Sequence, residues 1–236
     1  MSVFANIDEL AWESEFFSLS SAKLNFSSEA PLLEAASLSR YQRVQAKVPA
    51  ERSDIIDGLN TLGFRLVEGE VDFSLTLDDV LIAESDSRYS CRLAVEEDIP
   101  ALRDAASAAF SQSRFRTPWY QEGDSGRFYA LWAEKAVLGT FDRCCLIVED
   151  EAGQPLGFVT LRELDEQQAR IGLLAAWPGR GRRGAGLALM NAAKRWCVQK
   201  ELKTLYVATQ MGNIAALRLY IRSGASIHST AYWLYR

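Results

Sequence analysis

The sequence predicts an α/β protein, α+β in type, with a small N-terminal unit over residues 1–88 and a larger one over 89–236. Three observations carry this. Residues 70–77 alternate polar and apolar side chains, as a half-buried strand does. Residues 144–149 and 156–163 form two extended runs joined by a turn holding Gly153 and Pro155, so antiparallel pairing is expected. Residues 169–175 form an alternating apolar strand that passes through a glycine-rich segment into a helix over 187–198.

In chain order, residues 41–48 read as extended and 53–62 as a helix, with Ser53 and Asp54 as its cap and Gly63 after its last turn. A further extended stretch covers 64–77. The polar, aperiodic stretch 84–90 is the expected boundary between the two units. A short strand at 91–95 precedes Asp98 and Pro100, which open an alanine-rich helix running to Phe110; proline suits a first turn because its missing N–H is not needed there. A loop over 115–126 and a helix over 128–138 follow, then the three strands and the helix already named. After a strand at 204–208, Asn213 is a good N-cap and Gly224 a good C′ residue for a last helix.

Composition excludes several classes of function. The chain has 236 residues and a net charge of −5, which argues against sequence-independent nucleic-acid binding. The four cysteines, two of them adjacent, contain no Cys-x-x-Cys pair, so reduced packing cysteines are expected rather than a metal site or a disulfide framework. His228 is the only histidine, which leaves no room for a Ser-His-Asp triad away from it and favours a surface or edge-strand place for it. The N-terminus lacks a basic segment followed by an apolar one, and a soluble cytoplasmic protein without a membrane or metal partner is expected.

Glycines 179, 181, 184 and 186 sit on a strand-to-helix turn, where unpaired helix N–H groups converge and the macrodipole favours an anion. Gly184 and Gly186 permit close backbone approach, while Arg180, Arg182 and Arg183 supply charge for phosphate. The same glycines match a dinucleotide-binding fingerprint. That reading needs an acid closing the next strand roughly 20 residues on. Here that strand ends in Thr209-Gln210, and about fifty residues remain after the loop. Asn213, Ala216 and Tyr220 recur at i, i+3 and i+7, on one face of the last helix, with a shallow groove over the alanine.

Gly181-Arg-Arg-Gly184-Ala-Gly186 followed by Asn213-x-x-Ala216-x-x-x-Tyr220-x-x-x-Gly224 resembles the Gcn5-related N-acetyltransferase superfamily. The resemblance implies a mixed, largely antiparallel sheet flanked by helices, with acetyl-CoA as acetyl donor. It implies that Leu173 and Leu174 pair with the pantetheine arm, that Arg180, Gly181, Arg182, Arg183, Gly184, Ala185 and Gly186 hold the pyrophosphate, and that Asn213 and Leu219 help bind the donor. The family's usual Gln or Arg at the first loop position falls here on Gly181, which leaves open which arginine meets the pyrophosphate. The stretches 106–120, 126–129, 207–213 and 229–236 are similar, more narrowly, to amino-sugar-nucleotide acetyltransferases of enterobacterial common antigen synthesis. This implies a dTDP-amino-sugar acceptor, dTDP-4-amino-4,6-dideoxy-D-galactose, and a homodimer; another amine acceptor, or a non-enzymatic acyl-CoA binder, is the competing reading.

Direct transfer is expected, with Tyr220 as general acid and a backbone N–H at the end of strand 171–174 on the oxyanion. Without a histidine at hand, Glu68, Glu70, Asp72 or a water remain candidates for the general base. Arg114 and Arg116, beside Phe115, Trp119 and Tyr120, are candidates for binding the acceptor's diphosphate and stacking its base.

Overall fold

The structure is a computed structural model that describes residues 2–77, 89–110, 112–180 and 184–236. The chain begins with strand β1 (Ala5–Glu9), helix α1 (Ala11–Phe17), β2 (Ser21–Phe26), the short helix α2 (Ala35–Leu38), β3 (Arg43–Pro49), α3 (Ser53–Thr61) and β4 (Arg65–Thr76). It continues with β5 (Tyr89–Leu93), α4 (Ile99–Ala109), α5 (Asp124–Val137), β6 (Cys144–Asp150), β7 (Pro155–Glu163) and β8 (Gln168–Ala176). Helix α6 (Ala185–Gln199), β9 (Thr204–Gln210), α7 (Ile214–Arg222) and β10 (Ser226–Tyr235) complete it.

All ten strands form one sheet in the order β1-β2-β3-β10-β4-β9-β8-β7-β6-β5. Pairing is antiparallel except for β2 with β3 and β8 with β9. The mixed, largely antiparallel sheet is therefore as expected. The C-terminal strand β10 lies between β3 and β4, so the end of the chain completes the sheet of the first eighty residues. Of the expected boundary 84–90, residues 84–88 lie outside the described residues, and Tyr89 and Ser90 begin β5.

Alternation along the strands divides the core between two faces. Val159 and Leu161 of β7 join Phe73, Met190, Trp196 and Tyr220 under α6 and α7, while Phe158, just before them, joins Leu102, Ala133 and Ile147 under α4 and α5. A third cluster packs Leu59 of α3 against Val48 and Leu234. Each such large side chain taken fully from water contributes about 1.5–3 kcal/mol. Local signals end the helices where expected: Gly63 (φ +85°) and Gly224 (φ +90°) take the left-handed backbone that terminates α3 and α7. Helix α5 starts four residues before the expected 128, because the buried Asp124 carboxylate accepts from the Gln121 amide at 3.0 Å and from Arg127 at 2.8 Å.

The cysteines are free thiols, with Cys145 and Cys197 buried. His228 is exposed, as expected, but β10 is an interior strand; the residue falls in a bulge against β4, with its ring edge-to-face on Tyr206 at 5.3 Å. Among the described residues no helix is long and apolar enough to cross a membrane.

Candidate active site

The parallel pairing of β8 with β9 stops at Ile171 opposite Val207. Beyond that point β8 follows β7 as far as Ala176, and β9 follows β4 as far as Gln210. The two strands therefore part, and the inner edge of β8 is left without a neighbour. A bulge sits at the parting, because Leu161 faces Ile171 whereas Val159 faces Leu174. Thr160 fills it: its Oγ1 accepts from the Leu173 amide at 2.8 Å and donates to Asp142 Oδ2 at 2.6 Å. Trp132 Nε1 donates to the same carboxylate oxygen at 2.6 Å, and Arg162 lies 3.8 Å from the other. Position 172 must be glycine here, since a Cβ would overlap both Asp142 Oδ2 and Thr160 Oγ1.

Amides alternate between the edges of an extended strand. The Leu173 amide points to β7, as does that of Trp177, which donates to Leu156 at 2.7 Å. The amides of Leu174 and Ala176, between and beside them, therefore face the open edge.

A groove of about 940 Å³ runs from that edge along Trp177, Gly184 and Gly186 to Asn213, Ala216 and Leu219. Gly184, at φ +99°, is the N-cap of α6, so the unpaired amides of a fifteen-residue helix open here, starting with Ala185. At Gly186 the two helices nearly touch: a Cβ would come within 3.0 Å of Leu219. Arg180 is exposed and donates to Gln154 Oε1 at 2.8 Å, across to the turn between β6 and β7. Gly181, Arg182 and Arg183 lie outside the described residues. Arg218 and Arg222 of α7 also line the groove, a pair of cations at i and i+4 that sequence reasoning had not placed there. Asn213 caps α7 with its Oδ1, which accepts from the Ala216 amide at 3.2 Å.

A smaller cavity, about 270 Å³, meets the groove at Leu174, Asn213 and Ala216. Tyr220, 4% exposed, forms part of its wall and lies edge-to-face on Phe73 at 5.5 Å. Burial pushes the phenol above its ordinary range, so it stays protonated.

The three carboxylates of β4 differ sharply in their surroundings. Asp72 is held bidentately by Arg170, at 2.8 and 3.0 Å. Glu70 faces the cavity but is engaged by Lys47 Nζ at 2.5 Å and Trp233 Nε1 at 2.9 Å. Glu68 lines the cavity with no hydrogen bond or ion pair among the described residues. Desolvation raises its pKa to about 7, against the pull of Arg114.

Arg114 also lines this cavity, whereas Arg116 is exposed and bonds backbone oxygens of Thr117 and Val67. Phe115 and Tyr120 are buried against Phe17 and Tyr235; Phe115 contributes to the cavity wall, whereas Tyr120 does not.

A parted parallel strand pair, a helix N-terminus at the far end of its groove, and a protonated tyrosine at the near end define an acyl-CoA-dependent acyltransferase. The chain belongs to the acetyltransferase (GNAT) family, whose match spans residues 100–225. It is 53% identical, over the whole of both chains, to a dTDP-fucosamine acetyltransferase of Escherichia coli O6:H1. Among solved structures it is similar to a GCN5-related N-acetyltransferase of Kribbella flavida (14% identity, TM-score 0.59, 91% of this chain and 80% of the other). It also resembles one of Sphaerobacter thermophilus, at 17% identity and a TM-score of 0.57, which covers 82% of this chain and 59% of that one. These two likenesses concern the fold.

Proposed function

We propose that this protein acetylates the 4-amino group of dTDP-4-amino-4,6-dideoxy-D-galactose, with acetyl-CoA as donor, giving dTDP-4-acetamido-4,6-dideoxy-D-galactose for enterobacterial common antigen synthesis. The observation that carries the reading is one cavity that holds both the Glu68 carboxyl and the buried Tyr220, and opens at Leu174 and Asn213 into the donor groove. The identity of the sugar rests on the likeness to the Escherichia coli enzyme.

The donor site fits its ligand by the chemistry of its atoms. The open edge of β8 offers peptide groups to an extended amide-bearing arm, and the α6 N-terminus, with Gly184, Ala185 and Gly186, offers amides to a diphosphate. When bound there, acetyl-CoA supplies an activated thioester.

Glu68 takes the proton from the sugar ammonium, directly or through a water, and so frees the amine lone pair for attack. The Leu174 amide, aimed at the open edge, receives the negative charge that develops on the carbonyl oxygen. Tyr220 gives its proton to the departing thiolate, and the surplus proton that the attacking nitrogen sheds as the amide forms restores the phenol, directly or through a water. The phenol's raised pKa is no obstacle, because the same burial makes a thiolate more basic. Asn213 and Leu219 bracket the donor above the tyrosine. The protein works as a cytoplasmic homodimer, and its N-terminal unit of residues 1–88 contributes Glu68 to the acceptor side.

The test is thiol release from acetyl-CoA in the presence of the dTDP-amino sugar and of a panel of other amines, including peptide N-termini. Turnover with the amino-sugar nucleotide, at least a hundredfold above the panel, is the expected result. Equal or better turnover with another amine would overturn the acceptor assignment.

A further inference from the structure

A separate cavity of about 410 Å³ lies between α1 and α5, and neither acetyl transfer nor donor binding uses it. Its walls are aromatic. Trp12 comes from α1, Phe128 and Trp132 from α5, and Phe141 from the turn before β6. These rings are held in place: Trp12 stacks on Phe16 at 5.2 Å, and Trp132 meets Phe141 edge-to-face at the same distance. Yet Trp12 and Phe141 remain 43% and 48% exposed, so the rim of the cavity presents apolar rings to solvent.

Two features say what covers them. Arg114 and Trp132 line both this cavity and the reaction cavity that holds Glu68 and Tyr220, so the two spaces adjoin. Arg114 and Lys135 also bring unspent cationic donors to the α1/α5 cavity. Arg114 uses only Nη1 for hydrogen bonds, to Gln45 and Tyr235, and its Nε and Nη2 have no acceptor among the described residues. Lys135 lies 5.2 Å over the Trp12 ring and has no carboxylate partner among the described residues. Glu13, whose Oε2 is held by Gln45 at 2.6 Å, offers an acceptor to a base that bears a ring N–H.

We infer that the α1/α5 cavity is the nucleoside subsite of the acceptor: a pyrimidine with a ring N–H, such as thymine, lies among Trp12, Trp132 and Phe141, and the diphosphate passes Arg114 and Lys135. The sugar amine then reaches Glu68 through the shared wall. This assignment rests on the acceptor reading above, and it moves base stacking from the buried Phe115 and Tyr120 to the open rings of α1 and α5. The volume suits the purpose, since small-molecule sites typically span about 300–1,000 Å³.

The experiment is calorimetric titration of the full chain with dTDP, which lacks the amino sugar, beside dCDP and inorganic pyrophosphate. Wild type should bind dTDP more tightly than either comparator. Trp12→Ala and Phe141→Ala, both at exposed rings and so tolerable to the fold, should each weaken dTDP about tenfold or more and raise the acceptor KM in parallel, with acetyl-CoA affinity unchanged. Should wild type acetylate the amino-sugar nucleotide while both variants keep the wild-type dTDP affinity and acceptor KM, the subsite assignment falls. Should wild type fail to acetylate that sugar but bind dTDP in a Trp12-dependent manner, the acceptor reading falls and the subsite stands.

Discussion

The hydroxyl oxygen of Thr160 on β7 accepts the Leu173 amide of β8 at 2.8 Å, in place of the carbonyl that a regular ladder would supply. That substitution holds the bulge open and turns the next amide, that of Leu174, toward the parted strands. Thr160→Val keeps the shape but leaves a buried N–H without a partner, a loss of about 1–3 kcal/mol. A denaturant titration should register this loss, and acetyl-CoA affinity should fall with it. Unaltered stability would show that the amide finds another acceptor.

Tyr220→Phe removes only the phenolic oxygen. The expected outcome is a kcat lowered about a hundredfold with little change in the KM for acetyl-CoA, since proton donation is felt in the transition state and not in binding. Steady-state kinetics decide it, and full turnover would take Tyr220 out of the mechanism.

Glu68 should give the pH profile its ascending limb. With a pKa raised to about 7, it is mostly protonated below that pH, so kcat/KM for the acceptor should rise as pH passes through 7. Glu68→Gln should flatten this limb and cost roughly a hundredfold in kcat. The sign for stability is opposite. The folded state holds this proton up to about 7 while an unfolded carboxyl releases it near 4.5, so this group's contribution to stability declines as pH rises between those values. The glutamine variant should lose that dependence in a pH series of thermal melts.

Asp72 is a structural carboxylate by the same logic. Its two bonds from Arg170 tie β4 to β8 across β9, just before β8 and β9 part. Asp72→Asn should lower stability by about 2 kcal/mol, the scale of hydrogen bonds to a charged group. The ascending limb of the rate profile should survive in this variant; its disappearance would mean that Asp72, not Glu68, is the group that titrates.

Much of the second half was legible from local chemistry. Asn213 and Gly224 bracket α7 as a cap and a left-handed terminator should, and β7 and β8 fall within a residue or so of the expected runs. In the N-terminal part β3, α3 and β4 fall close to the expected runs, but the elements before residue 41 were not legible, and the reasons are physical. Helix α1 has only seven residues and ends at Ser18, which takes a left-handed φ of 51° where a glycine would have signalled the stop. Strands β1 and β2 are short, and β10 carries no turn signal that says which strands it will join. Helix α5 began early at Asp124, a residue expected to lie in a loop, whose carboxylate ties the Gln121 amide and Arg127 to the first turn.

The same limit governs the site. Spacing along the chain was enough to bring Asn213, Ala216 and Tyr220 onto one helical face and to put glycines where a strand turns into a helix, because both patterns depend on neighbours a few residues away. It could not rank Glu68, Glu70 and Asp72, which alternate onto one face of β4 and look alike in sequence. Their fates depend on Lys47, Trp233 and Arg170, which come from three other strands. Only tertiary packing assigns those partners, and among the described residues it leaves Glu68 desolvated and without an ion pair in the cavity that Tyr220 also lines.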